Sequence, residues 1–450
     1  MTQTQRFLPP DIFRWPQLLD YSVLFFFYAF MLVLPVSKGA TSVAMVALGI
    51  LSLVQLVQYR LSLWRLIRRH LPIALLALPF LAYLLSLFYT QNLAAGGKFI
   101  NREISLLLMP LIVLIQREFV ARHLRWLLLF FITAVCVNAL VTLLFYLLPE
   151  ASAIQLADAF RFIGVKPYQQ LHLREAFGVY SPFMVRIQFS NLLALGCLSA
   201  LWLYVQQVYK QWMLAALALM LVTSVILGGR GGQLGLMLAL GCWVLGGYFM
   251  HLHPRLKQKV GTAGSVGVLL GILLTLFVLL PLLAYHNIPA LRERYNQLIW
   301  EMKLLEDGTY REHDYVHFTS LRRLISYQNS WELIRRHPFT GTGVGDYQQE
   351  MEAIYAKNHP EFPVNSHNHL LFLWASSGLA GLLAFLFSLG YWLRSFLRSS
   401  RGWTRIYGLS LLLFFFSIMM LEAMFNQVDL MCYGLFLGMA LIAAEEGRTE

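Results

Sequence analysis

The chain has 450 residues, of which 58% are apolar and only 13% charged, with a mean hydropathy of +0.60. A soluble domain of this length needs far more polar surface, so the composition excludes one and matches a polytopic membrane protein. The formal charge of +12 is not a nucleic-acid footprint, because the basic residues fall in short loops between apolar blocks.

A bilayer core takes about 20 apolar residues per helix. Apolar blocks at 20–37, 41–58, 71–88, 103–116, 126–147, 184–206, 211–228, 231–250, 260–283, 368–393, 405–423 and 430–445 predict an all-α fold of about twelve transmembrane helices. The fourth block is short and carries Pro110. Polar residues, Pro9 and Pro10 precede the first block, which lacks a small-residue cleavage signal, so the start does not read as a cleavable leader. Cys136, Cys197, Cys242 and Cys432 all fall inside blocks, which argues against a disulfide framework or a thiolate metal site.

The blocks divide the chain into an N-terminal scaffold (1–147, five helices), a first polar loop (148–183), a central helical group (184–283), a large helical loop (284–367) and a C-terminal group (368–450). The loops near 59–70, 117–125, 210, 251–259 and 394–405 are rich in Arg and Lys and contain one acidic residue, Glu118. That bias marks their side as cytoplasmic. Twelve crossings then leave both termini inside and both long loops outside. The large loop, with nine Lys or Arg against eleven Asp or Glu, shows no such bias.

Several polar groups sit at the outer ends of the blocks. Lys98, Arg102 and Glu103 form a small charged group at the fourth, and residues 154–160 have an amphipathic pattern suited to the membrane surface. Arg186 lies in the first turn of the sixth block, where a charge must pair, snorkel or face a cavity. Gly228-Gly229-Arg230-Gly231-Gly232 is the whole connection between the seventh and eighth. Its glycines permit a tight turn and leave space for an anion beside backbone N–H groups and a guanidinium.

In the large loop, Leu291–Arg294 reads as a solvated helix. His313 and His317 are four apart, but Glu312 and Asp314 do not share their face, so they do not compose a metal site. A helix is predicted from Thr319, with Arg322 and Arg323 pointing in different directions, and His337-Pro338 stops it. Gly341-Thr342-Gly343-Val344-Gly345-Asp346 follows. It lacks the Gly-Lys-Ser/Thr of a nucleotide loop and follows no buried strand. Asn365-Ser366-His367-Asn368-His369 opens the tenth block with two imidazoles, and Glu422, Asn426, Gln427 and Asp429 gather between the last two.

Taken in order, these elements resemble the O-antigen ligase and O-antigen polymerase superfamily, over roughly residues 100–445. The arginine at the span junction is Arg230, in Gly-Arg-Gly where the family more often has Ser-Arg-Gly. The family's series of Arg, Trp, His-Pro and Gly-x-Gly-x-Gly is similar to Arg323, Tyr327, His337-Pro338 and Gly341–Gly345, with tyrosine in place of tryptophan. His367-Asn368 and Gly378-Leu379-Ala380-Gly381 match the opening of the next span.

The resemblance implies a fold like that of GT-C glycosyltransferases and glycan transfer from a polyprenyl-pyrophosphate carrier to lipid A with its core sugars, or to another glycan. It implies no metal, nucleotide or other cofactor. In that chemistry Arg230 and Arg323, then Arg186 and Arg322, suit the pyrophosphate, since a guanidinium fork pairs with phosphate oxygens. His367 suits the acceptor proton, because imidazole titrates near neutrality. His369 is its substitute, and Asn368 orients the base or the sugar. Gly341, Gly343, Gly345 and Asp346 are expected to contact substrate. A direct attack inverts the anomeric centre. An exopolysaccharide polymerase, a lipid-glycan transporter and an envelope scaffold are the alternatives; scarce mid-span acidic residues and the lack of a duplicated half weigh against the transporter.

Overall fold

Backbone crossing a bilayer must satisfy its own hydrogen bonds, and long apolar runs do so as helices. The computed structural model describes residues 15–159, 181–287, 289–312, 318–364 and 366–422, together with Gly434 and Gly438. Among the described residues it is all helix and loop. The N-terminal part comprises α1 (Trp15–Val33), α2 (Lys38–Gln58), α3 (Leu63–Arg69), α4 (Leu71–Ala74), α5 (Leu78–Ser86), α6 (Leu93–Arg102), α7 (Ser105–Ile115), α8 (Arg117–Leu147) and α9 (Glu150–Ala159). The centre is α10 (Arg186–Val205), α11 (Lys210–Leu227) and α12 (Arg230–Gly247), followed by α13 (His253–Leu274), α14 (Leu280–Asn287) and α15 (Pro289–Asp307). Then come α16 (Ser320–Arg336), α17 (Tyr347–Asn358), α18 (His369–Arg398) and α19 (Gly402–Leu421).

Eight of the described helical stretches are long and apolar enough to cross a membrane, or nine if α3 and the stretch Leu71–Ser86, bent by 102°, form one span. Three of the twelve expected blocks account for the difference. The apolar part of α1, Gln17–Val33, is shorter than a full span. The 103–116 block folds as α7, whose 11 residues cover only about 16 Å at 1.5 Å per residue. The 430–445 block lies outside the described residues apart from Gly434 and Gly438, which sit against Phe415 of α19 and Trp392 of α18. The start of the chain, most of 148–183, His313, His317, Asn365, Asn426, Gln427, Asp429 and Cys432 also lie outside them.

Burial ranks the helices. In α10, 83% of the apolar window is inside the protein, against 6% for the stretch His253–Asn287. α10 is therefore the hub, packed on α8, α11, α12 and α19. Gly196 admits Met220 of α11 against its backbone, with 2.6 Å between the sulfur and the place a Cβ would take. Gly229 and Gly232 do the same for Ser190, whose hydroxyl donates to Gly229 O at 3.0 Å. The room around Arg230 expected from its glycines is thus partly filled by α10. Cys136, Cys197 and Cys242 are free thiols inside α8, α10 and α12. Arg102 and Glu103 pair with each other at 3.0 Å, with the carboxylate buried.

The large loop docks on the bundle through a break in α18. At Gly378 the backbone turns to φ +70°, outside helical geometry, a conformation that glycine alone takes freely. The break releases carbonyls that a straight helix would use, and the 338–346 turn supplies donors. Thr342 N donates to Ala375 O at 2.9 Å and Gly343 N to Ser376 O at 2.9 Å; from α18, Trp374 Nε1 donates to Pro338 O at 2.8 Å. In return Leu379 N donates to Phe339 O at 3.2 Å. A Cβ on Gly378 would collide with Phe339 O. Gly378→Ala is expected to lower stability by about 1–3 kcal/mol from backbone strain alone. A thermal melt in detergent checks this, and an unchanged midpoint would show that the break does not hold the loop.

Candidate functional site

α10, α12 and α18 begin at the end of the bundle where α11 and α19 finish. Three arginines, a histidine and two carboxylates are gathered there. Arg230 opens α12 after Gly228, which ends α11 at φ +63°. Its guanidinium donates to Gln297 Oε1 at 3.2 Å and, at 3.4 Å, to the hydroxyls of Thr319 and Ser320. These are long bonds to neutral oxygens. It lies within electrostatic reach of Glu301, Arg323 and Arg186. Arg186, the first residue of α10, has its carbonyl beside Gly229. Arg322 is partly buried next to Arg323 on α16.

Glu301, on α15, is fully buried and fills the N-terminus of α16. Its carboxylate accepts from Thr319 N at 2.9 Å, Ser320 N at 2.6 Å, Leu321 N at 2.8 Å and the Thr319 hydroxyl at 3.1 Å. The free N–H groups of a helix start attract an anion, and here the protein provides it. The same carboxylate holds the Thr319 hydroxyl and the Ser320 backbone N–H, and so positions both residues whose hydroxyls touch Arg230.

Glu422, just past α19, joins the other two elements. Arg323 Nη2 lies 2.5 Å from Glu422 Oε1, and Arg323 Nε donates to Leu421 O at 3.3 Å. His367 Nδ1 lies 3.5 Å from Glu422 Oε2. Burial pushes the Glu422 carboxyl up, but the His367 contact and Arg323 together outweigh it and hold the carboxyl below the usual glutamate range. Both ring nitrogens of His367 are buried and neither has a hydrogen-bond partner among the described residues, Nδ1 meeting Glu422 only at ion-pair range. A carboxylate facing Nδ1 favours the tautomer that leaves Nε2 as an acceptor. A carboxylate so placed fixes the orientation of the ring.

Neighbouring polar groups fasten this assembly to the end of α19. Tyr327 donates its hydroxyl to Met420 O at 2.7 Å, and Asn368 Nδ2 donates to the same oxygen at 3.3 Å. Asn368 Oδ1 accepts from Leu370 N at 2.9 Å and Leu371 N at 3.0 Å, so its amide caps α18. His369 is buried with its ring 5.3 Å from that of Phe385. The cluster therefore takes in Arg186, Arg230, Arg323 and His367, while Asn368 caps α18 and His369 packs on Phe385.

The glycine turn has other occupations. Asp346 accepts from Thr90 Oγ1 at 3.0 Å, Gln91 N at 2.6 Å and Asn92 N at 2.8 Å, which ties the loop to the scaffold. Gly341 and Gly343 adopt φ +69° and +87°. Gly341 faces the Ser376–Gly378 backbone, and Gly343 and Gly345 face Thr90 and Asn92. Space and donors here are taken by the chain itself.

Sequence reasoning passed over Glu301 and placed Glu422 only within a polar group between the last two blocks. Glu301 carried one signal. It shares a helix face with Leu304 and Leu305, both packed on the core, and a carboxylate among core leucines needs a partner. Nothing local marks Glu422, whose partners are 99 and 55 positions away.

Residues 215–386 match the family described as O-antigen ligase. That stretch contains Arg230, Arg323 and His367, the residues that Glu301 and Glu422 hold in place. A segment of 123 residues, 25% of this chain, is 28% identical to an O-antigen ligase of Salmonella typhimurium (strain LT2), and the match spans about 30% of that relative's length. Over these stretches the polytopic helical chain, with its arginine–histidine end, is similar to the O-antigen ligase family.

Proposed function

We propose that the chain is an O-antigen ligase that moves a glycan from a polyprenyl-pyrophosphate carrier onto lipid A–core at the periplasmic face. The observation that carries this reading is the unbroken series from Arg230 through Arg323 and Glu422 to His367. Three guanidiniums face two carboxylates, so the site keeps an excess of positive charge for a polyanionic leaving group. The twelve-pass, GT-C-like topology with cytoplasmic termini belongs to the same reading, supported by the basic residues at the opposite ends of α10–α12, α18 and α19.

In the proposed step the acceptor hydroxyl oxygen attacks the anomeric carbon while the bond from that carbon to the pyrophosphate oxygen breaks. The hydroxyl proton passes to His367 Nε2, and Glu422 stabilises the imidazolium. The electron pair of the broken bond leaves on the carrier pyrophosphate, where Arg230, Arg323 and Arg186 bind the growing charge. One displacement inverts the centre.

The test is transfer between two lipids in proteoliposomes, with carrier-linked glycan as donor, lipid A–core as acceptor and no ion gradient. Product on lipid A is expected from the parent chain. His367→Ala should lower the rate by about 10²–10⁴-fold, the range of a lost acid–base group. Longer carrier-linked chains with bare lipid A would instead identify a polymerase. Glycan movement that needs an ion gradient and forms no new bond would identify a transporter.

A further inference from the structure

The two ends of α12 border different sites. Arg230 opens the helix. About 20 Å further on, at 1.5 Å per residue, Trp243 and the π-helical turn Tyr248–Leu252 wall a cleft of about 430 Å³ against α10, α13 and α19. Arg255 and Gln207 line it, and among the described residues no carboxylate does. Tyr204, also on its wall, has the Lys210 ammonium 5.0 Å from its ring centre. Trp243 and Trp403 stack at 5.5 Å between centroids. The Trp243 Nε1 donor is buried without a partner among the described residues. The turn is held in shape by three mutual contacts: Tyr248 OH to Ser265 Oγ at 2.7 Å, Tyr248 OH to His253 Nδ1 at 3.0 Å, and His253 Nδ1 to Ser265 Oγ at 3.1 Å.

This cleft does not end in protein. A second cavity of about 430 Å³ shares Val244 and Ile272 with it and runs past Gly271 to Leu280. Its walls are almost wholly apolar. A second π-helical turn, Thr275–Leu279, lines this side through Thr275 and Leu276, and such turns recur at functional sites. The stretch His253–Asn287 has only 6% of its apolar window covered by the rest of the chain, so the groove opens to lipid.

We infer that the cleft and groove together bind an anionic phospholipid of the bilayer, with its phosphate on Arg255 and one acyl chain between α12 and α13. A cation and an unpaired indole N–H at the polar end, with an apolar channel leading away, match the two parts of such a lipid. Basic recesses between membrane helices select acidic headgroups, and arginine pairs with phosphate through two donors. The site is at the far end of α12 from the arginine cluster and does not depend on the proposed transfer reaction.

The full chain is reconstituted in nanodiscs of equal phosphatidylglycerol and phosphatidylethanolamine, extracted gently, and the retained lipid is quantified by native mass spectrometry. Phosphatidylglycerol should be retained in excess. Arg255→Ala should lower that excess by about fivefold, the weight of one basic residue near an anionic surface, and Arg255→Lys should keep part of it. Gly271→Leu, at a position where an added Cβ meets nothing within 4 Å, should fill the groove and lower retention without disturbing the fold. Equal retention of the two lipids by the parent chain, or undiminished phosphatidylglycerol in both Arg255→Ala and Gly271→Leu, would overturn the assignment. So would thermal stabilisation by inorganic phosphate equal to that by phosphatidylglycerol, which would make the ligand a free anion.

Discussion

Replacing Arg230 with alanine is expected to slow glycan transfer by about 10²–10³-fold, the loss seen when one preorganised stabiliser of a developing negative charge is removed, and to leave the protein folded in the membrane. The two halves of this expectation come from the same contacts. Arg230 bonds only to neutral oxygens at 3.2–3.4 Å, so its removal forfeits on the order of 1 kcal/mol of stability. Its charge, however, is held near Arg186 and Arg323, whose repulsion the Glu301 carboxylate offsets, and a polyanionic ligand adds to that compensation. Arg230→Lys keeps the charge but not the planar fork, and its rate should fall between parent and alanine. Rates in the two-lipid assay, read beside melting curves of the same samples, decide the matter. A full rate with alanine at 230 would remove Arg230 from the site, and a lost rate with a collapsed melt would make its role structural.

Arg323 cannot serve as this probe. It is the partner of a buried carboxylate, so its loss would weaken fold and chemistry together. That contrast explains what was legible in the sequence. The helix before His337-Pro338 ends as expected, with α16 stopping at Arg336, because proline acts on its immediate neighbours. The arginine and histidine positions were legible because charges at span ends are costly unless used. The glycine turn was legible as a turn, but its partners were not. A loop that cradles phosphate and a loop that fills a helix break both need small residues and free N–H groups. Only the approach of Thr90 and Ala375 distinguishes them, and Asp346 meets Thr90 across 256 positions. The same limit hid Glu422, since no local pattern reveals that one carboxylate joins α16, α18 and α19. The apolar blocks likewise show where a helix runs and not how long it is, and α7 is shorter than the block that predicts it.

Glu422→Gln should be the most damaging isosteric change at the site. The substitution keeps size and removes charge, so Arg323 is left partly buried without its counter-ion and His367 without the group that orients it. Breaking a buried pair from one side costs about 3–5 kcal/mol; with 23% and 12% of the two side chains exposed, about 2–3 kcal/mol is the appropriate share. Transfer should fall on the order of 10²–10⁴-fold, the weight of a general base. The pH dependence separates this site from a general loss of stability. The folded carboxyl lies below the usual range, so its contribution is complete above the ordinary glutamate value of about 4.3 and is lost as pH falls through the lower folded value. The parent should therefore lose this contribution on acidification below that range, while Glu422→Gln, having no carboxylate to protonate there, should show a shallower loss. Denaturation midpoints taken across the acid range give the comparison. Parallel curves for parent and variant would show that Glu422 contributes no charge to the folded protein, and the role assigned to it between Arg323 and His367 would fall with that result.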